Sequence, residues 1–445
     1  MGEPGPERVG TRSGGMLSGP RTYVGFGLGA IQAGLFLYEA FRSGNFGRLV
    51  VAEIVPELVA EVRRAGGFLS VNIAHADRIE AVRVGPVEVL APAVEPDRRR
   101  LVEAIAEAEE IGTAVPSVAH YRGHGPTDLA HVLAQGLRLK AERAGPRAVL
   151  YAAENHNHAA EILTDLVLGD VSLTQRDAVR TGSRFLNTVV GKMSGLVADP
   201  REHGLATITP DSPRAYLVES FNRILISKIR FPKPFQRGIT VFQEKDDLLP
   251  FEEAKLFGHN ATHALAAYVG RLLGVRRIAE LADVPGFMPL VRDAFLAESG
   301  ESLIRKHGGV DALFTPEGYR EYADDLLARM TNPYLMDTVE RVGRDPERKL
   351  GWDDRLMGVM RLALAQGVEP KRYALGAAAG LVALDERFLE GGITAEDLSA
   401  RVWKSQTSAD ERREILTRIE EARRFLADWR DAGFPELDRF FRQHA

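Results

Sequence analysis

The chain has 445 residues, 45% hydrophobic and 27% charged, the balance of an ordinary soluble protein with room for two or three domains. Its 57 basic and 62 acidic side chains intermingle to a formal charge of −5, which leaves no electrostatic footprint for nucleic acid or an anionic membrane. Cysteine is absent, so disulfides, thiolate catalysis and cysteine-based zinc sites are excluded.

Residues 1–20 are rich in Gly and Pro and lack the apolar core of a signal peptide, so they read as a disordered leader. No later run approaches the roughly 20 apolar residues of a transmembrane helix, and a cytoplasmic location is expected. Residues 21–155 alternate strand-like and helix-like stretches, the signature of a doubly wound α/β domain. Arg21–Val24, Arg48–Glu53, Val87–Leu90, Ile111–Val115 and Ala148–Ala152 read as strands. Ile31–Phe41, Arg98–Glu109 and Asp128–Arg143 read as amphipathic helices between them. Ala206–Thr209 and Ala215–Ser220 are expected to be extra strands. From Phe251 the pattern turns helical, through Phe251–Leu273, Met288–His307, Pro316–Met330, Asp354–Ala365, Arg372–Asp385 and Ser408–Asp431. The expected fold is an α/β, Rossmann-like doubly wound NAD-binding domain over 21–250, followed by a mostly α-helical substrate and catalytic domain over 251–445.

Gly25-Phe26-Gly27-Leu28-Gly29-Ala30-Ile31-Gln32 follows the first strand and opens the first helix. Glycines there allow a tight turn and bring backbone N–H groups against a pyrophosphate. Gln32 occupies the place of the usual third glycine, and a plain strand-to-helix turn is the alternative. Glu53, some two dozen residues beyond Gly29, ends the second strand where a carboxylate binds the ribose hydroxyls and repels a 2′-phosphate. That offset favours NAD over NADP, although Glu53 could also be a solvated strand end beside Arg48.

The helix around Lys255 carries the candidate chemistry. On a regular helix Lys255, His263 and Asn260 fall at roughly 0°, 80° and 140°, and all three can face one cleft. Oxidising a secondary alcohol needs a base for the hydroxyl proton and donors for the oxygen as charge develops. A lysine serves as base only if burial or nearby positive charge lowers its pKa, and an asparagine amide donates without titrating. A solvated surface helix is the alternative reading.

Lys255–Gly270 resembles the signature of the polyol-specific long-chain dehydrogenases, a family that works without a metal. The resemblance runs from about residue 23 to residue 390. It implies that Lys255 is the general acid/base, that Asn260 belongs to an oxyanion hole and that His263 contacts substrate. It also makes Asn155, in Ala152-Ala153-Glu154-Asn155, the second oxyanion donor. Thr113-Ala114-Val115 resembles the family's cofactor-side strand end, adding Thr113 and Val115 to the NAD contacts. Asn332-Pro333-Tyr334-Leu335 with Val339–Arg344 and Arg348-Lys349-Leu350 is similar to the mannitol-1-phosphate branch, as is Glu298-Ser299-Gly300. Interconversion of mannitol 1-phosphate and fructose 6-phosphate is therefore implied. The chain departs from the family at Phe185–Gly195, which lacks the usual aspartate and proline, and this puts the sugar specificity in doubt.

Arg341, Arg344, Arg348 and Lys349 form a basic stretch suited to a substrate phosphate. A salt-bridge patch with Glu340, Asp345 and Glu347 is the alternative. Glu154, His156 and His158 invite a metal reading, but alternating histidines do not fix a tetrahedral site and no metal is expected. A small-molecule substrate is the expected partner, and the oligomeric state stays open. A dehydrogenase for an unphosphorylated polyol or a sugar acid, or a non-catalytic NAD-binding protein, are the competing classes.

Overall fold

The computed structural model describes residues 21–123, 125, 127–403 and 408–444; the expected leader over 1–20 lies outside the described residues. Apolar runs such as Leu49-Val50-Val51-Ala52 have no polar alternation because their strands are covered on both faces. The strands are β1 (Arg21–Phe26), β2 (Phe46–Ala52), β3 (Leu69–Ala74), β4 (Ile79–Val84), β5 (Glu88–Leu90), β6 (Glu110–Thr113), β7 (Ala148–Ala152), β8 (Ser183–Val189), β9 (Ser194–Ala198), β10 (Arg214–Glu219), β11 (Leu225–Ser227) and β12 (Gln243–Lys245).

They form an eight-stranded sheet in the order β12-β11-β8-β7-β6-β1-β2-β5 and a four-stranded sheet in the order β4-β3-β10-β9. From β5 to β8 every neighbour is parallel, and β11 runs antiparallel to β8. The six parallel strands thus have Rossmann order, with the winding direction reversing between β1 and β6, where ligands bind in such sheets. One face, with Val24, Val50, Ile111 and Leu150, packs on Leu101, Ile105 and Leu133 of the helices Glu95–Glu107 and Leu129–Glu142. The other, with Tyr23, Leu49, Val51 and Tyr151, shares a core with Phe36 and with Val71, Tyr216 and Val218 of the smaller sheet.

The expected strand Ala206–Thr209 does not form. The Asn72 side chain takes both backbone groups of Ala206, donating to its carbonyl at 2.8 Å and accepting from its N–H at 2.9 Å. These groups are therefore satisfied without a neighbouring strand.

Beyond Lys245 the chain is helical. The expected helix over 251–273 is three segments, the α-helix Leu249–Glu253, the π-helix Ala254–Asn260 and the α-helix Ala261–Leu272. Another π-turn spans Ala294–Gly300, and a Cβ at Gly258 would lie 2.7 Å from Phe295, so these two irregular turns pack in direct contact. The helical region has its own core, including Tyr268, Tyr373 and Trp429, while Val189 of β8 joins Phe251, Ala254 and Phe295 in a cluster that bridges the two regions. Among the described residues no helix is long and apolar enough to cross a membrane.

Candidate active site

At the end of β1 the chain turns at Gly27, whose φ of +78° favours glycine and whose N–H donates to Ala52 at 2.8 Å. Ala30 and Ile31 start the helix that follows, and a Cβ at Gly29 would meet nothing within 4 Å, so the backbone there is open to a ligand. Gly25 and Gln32 have a different place. Both are in the sheet core: the Gln32 amide donates to the Tyr23 hydroxyl at 2.7 Å, and a Cβ on Gly25 would lie 2.1 Å from it. Gly25 makes room for Gln32, and neither side chain position lines the loop.

Glu53 is buried at the end of β2. One carboxylate oxygen accepts from Leu28 N–H at 2.6 Å, the other from Ile54 and Val55 N–H at 2.7 and 2.8 Å. The carboxylate thereby holds the glycine loop against the second strand, with one of its roughly four lone-pair positions to spare. Arg48 on the same strand pairs with Glu88 and Glu107. Ile54, Val55 and Val94 are exposed apolar side chains at this edge of the sheet. Loop, carboxylate and apolar edge together fit a dinucleotide.

Thr113 and Val115, at the end of β6, are organised by Glu154. The buried Glu154 carboxylate accepts from Thr113 Oγ1 at 2.9 Å, from Val115 N–H at 3.0 Å and from the Tyr121 hydroxyl. Burial raises its pKa. Its oxygens are thus engaged away from His156 and His158, and among the described residues no three His, Asp or Glu side chains are grouped to hold a metal.

The next residue, Asn155, leaves β7 at the carboxyl edge of the sheet and meets the helical region. Lys255 Nζ donates to Asn155 Oδ1 at 3.2 Å. With its oxygen so engaged, Asn155 has its amide NH₂ free to donate. Asn260, five residues beyond Lys255, ends the same π-turn, whose hydrogen bonds span that interval, so the two do not keep the 140° separation of a regular helix. Lys255, Asn155, Asn260, Glu252, Trp352 and Asp354 line one cavity of about 400 Å³.

Burial lowers the Lys255 pKa to about 8, assisted by the nearby Arg355 charge and opposed by Glu252. Burial raises Glu252 to about 7, helped by Glu161. His263 stands in the first turn of the following helix, and burial lowers its pKa to about 4. Its Nε2 faces Asp337 Oδ2 at 3.6 Å.

The basic stretch divides. Arg341 bridges Asp337 at 2.6 Å and so lies one residue from His263. Arg344 is exposed. Arg348 pairs with Asp345 and Asp354, which is the salt-bridge alternative. Lys349 is buried and donates to the carbonyls of Val342, at 2.6 Å, and Arg344. It caps the helix Val339–Gly343, whose orphaned end carbonyls need donors. Sequence reasoning missed Glu252, Asp337 and Arg355. Glu252 was detectable, one turn before the lysine; Arg355 approaches from a hundred residues away with no local signal.

Residues 247–421 match the family model of the mannitol dehydrogenase C-terminal domain. The chain is 31% identical to a mannitol-1-phosphate 5-dehydrogenase of Bacillus licheniformis over 80% of its length and 86% of that protein. It is 28% identical to one of Lactiplantibacillus plantarum, over 76% and 80% respectively. Among solved structures it superposes on a D-sorbitol dehydrogenase in substrate-free form with a TM-score of 0.71 at 13% identity, covering 93% of this chain and 94% of that one. Pseudomonas fluorescens mannitol 2-dehydrogenase, in a ternary complex with NAD and D-mannitol, matches at 0.66 and 18%, covering 96% and 95%. The shared fold and the identity across most of both chains place this protein in the polyol dehydrogenase family that carries the mannitol dehydrogenase C-terminal domain.

Proposed function

We propose that this protein is an NAD-dependent, metal-independent dehydrogenase of the cytoplasm that interconverts mannitol 1-phosphate and fructose 6-phosphate. The observation that carries the chemistry is the half-buried lysine at 3.2 Å from Asn155, in a cavity that Asn260 also lines. NAD, when bound, supplies the hydride acceptor for the carbinol carbon. The loop at Gly27–Gly29 with Ala30 and Ile31, Glu53, Thr113 and Val115 are the residues that would hold it. Lys255 takes the hydroxyl proton as the alcohol is oxidised, and Asn155 and Asn260 donate to the oxygen while its negative charge develops. His263 contacts the adjoining hydroxyl. Glu252 stands one turn from Lys255 and titrates in a similar range, so it can pass the proton onward to solvent.

The sugar phosphate is supported by the relatives' names and by Arg341 and Arg344. A second reading, an unphosphorylated polyol or a sugar acid, is favoured by the engagement of Arg348 and Lys349 elsewhere. NADH oxidation assayed with fructose 6-phosphate, fructose, tagaturonate and fructuronate separates the two. A higher kcat/KM for fructose 6-phosphate than for fructose is expected, and the reverse order would reject the phosphorylated substrate. Activity should survive dialysis against a chelator, and equal kcat/KM with NAD and NADP would reject the role of Glu53.

A further inference from the structure

Asp337 and His263 come from distant parts of the chain and meet where both are largely buried. Asp337 is fixed by its backbone, its carbonyl accepting from Ile278 N–H at 3.0 Å, and the next residue bridges Arg277. Oδ1 accepts from Arg341 Nε at 2.6 Å. The other oxygen and His263 Nε2 are both buried without a hydrogen-bond partner, and they face each other at 3.6 Å, a few tenths of an ångström beyond hydrogen-bonding distance. Two complementary orphans aimed at one another are costly to leave apart.

Histidine has one ring N–H when neutral, and whichever nitrogen carries it cannot accept. Burial keeps this imidazole neutral near pH 7. An unprotonated Nε2 would set a lone pair against the Asp337 carboxylate; a protonated Nε2 is attracted to it. We infer that Asp337, held by Arg341, is a positioning residue that fixes His263 as the Nε2–H tautomer and leaves Nδ1 as a hydrogen-bond acceptor for a substrate hydroxyl. The inference rests on the reading of His263 as a substrate contact. It adds a direction to that contact: the histidine accepts from the sugar and does not donate to the reacting oxygen, a task left to the two asparagines.

The test is a double-mutant cycle in the intact enzyme, with Asp337→Asn made in the wild-type and His263→Ala backgrounds. The amide presents either a donor or a weak acceptor to Nε2 and no longer selects the tautomer. Partners that orient a metal-bound histidine typically contribute about 10–100-fold, and on the same physical logic kcat/KM for polyol oxidation should fall by about that factor in the wild-type background. It should be almost unchanged when His263 is already absent, and NADH binding should stay normal in both. Nitrogen-15 NMR of the imidazole, with the His263 signal identified by its loss in His263→Ala, should show a protonated Nε2 in the wild type and a tautomer mixture in Asp337→Asn. Equal losses in the two backgrounds, or a protonated Nδ1 in the wild type, would overturn the inference while leaving the lysine site intact. Full activity of His263→Ala would instead remove the substrate contact on which it rests.

Discussion

Lys255 needs to be neutral to accept a proton, and burial beside Arg355 brings its pKa to about 8. Polyol oxidation should therefore rise with pH through about 8 and level off above it, whereas ketose reduction, which needs the ammonium, should fall through the same range. Glu252 opposes the depression of the lysine pKa, so Glu252→Gln should move the oxidation limb to lower pH. Lys255→Ala should lose the limb and lower kcat by about 10²–10⁴ while NADH still binds. Each asparagine-to-alanine change, at Asn155 or Asn260, should cost about 10²–10³ in kcat through loss of an oxyanion donor. A pH–rate series on wild type and the two charge variants checks these expectations together; an oxidation limb that persists unmoved in Lys255→Ala would take the base elsewhere.

Glycines that look alike in the sequence have separate tasks within the first strand-turn-helix element, and the difference can be measured. A Cβ at Gly25 would collide with the Gln32 amide and crowd Val51, whereas one at Gly29 would stand in open space. Gly25→Ala should lower Tm, and Gly29→Ala should leave Tm unchanged while raising KM for NAD; thermal melts paired with cofactor titrations decide between them. Lys349 makes the same point in a helix. Lys349→Met would orphan the Val342 and Arg344 carbonyls, destabilising the protein by about 1–3 kcal/mol with little change in kcat/KM, while a large rise in substrate KM at wild-type Tm would return Lys349 to the substrate site. These contrasts show what a sequence can and cannot reveal. Five of the six parallel strands and the Lys255 helix were legible because apolar runs and helical periodicity are local, whereas β8, with its mixed polar sequence, was not. The roles of Gly25, Gln32 and Lys349 were not, since each is set by a tertiary neighbour. Of the smaller sheet only β10 was legible, as the expected strand Ala215–Ser220; β4 is half-solvated and irregular in pattern, and β9 is short. The π-turn at Ala254–Asn260 leaves no trace in periodicity, yet it carries both Lys255 and Asn260 to one cavity.

At the scale of the whole molecule the catalytic set works only while the helical region stays registered against the sheet, because Asn155 leaves β7 and Lys255 lies a hundred residues later. Arg329, near the end of the helix Pro316–Met330, is one charged tie between the two, and Lys245 of β12 paired with Asp311 is another. The Arg329 guanidinium donates to Glu219 of β10 at 3.1 Å and to the Gly191 carbonyl at 2.9 Å, and it stacks over the Phe221 ring at 3.8 Å. Glu219 is buried and its pKa is raised by that burial; the Arg329 charge opposes the rise most, followed by the Met193 N–H and Lys192. Gly191 and Lys192 belong to the segment in which this chain departs from the family pattern, so the tie also supports the stretch that replaces the missing aspartate and proline. Removing one partner of a buried ion pair leaves an uncompensated charge and costs about 3–5 kcal/mol. Arg329→Met should therefore unfold at a clearly lower temperature. Glu219→Gln in the same chain should recover most of the loss, because the group left behind no longer ionises. The geometry of the cleft should suffer with it, so kcat should fall in Arg329→Met and partly return in the double variant. Unfolding of Arg329→Met at the wild-type temperature, or a double variant no more stable than the single, would show that the bridging apolar cluster around Val189, Phe251 and Phe295 holds the two regions together without this ion pair.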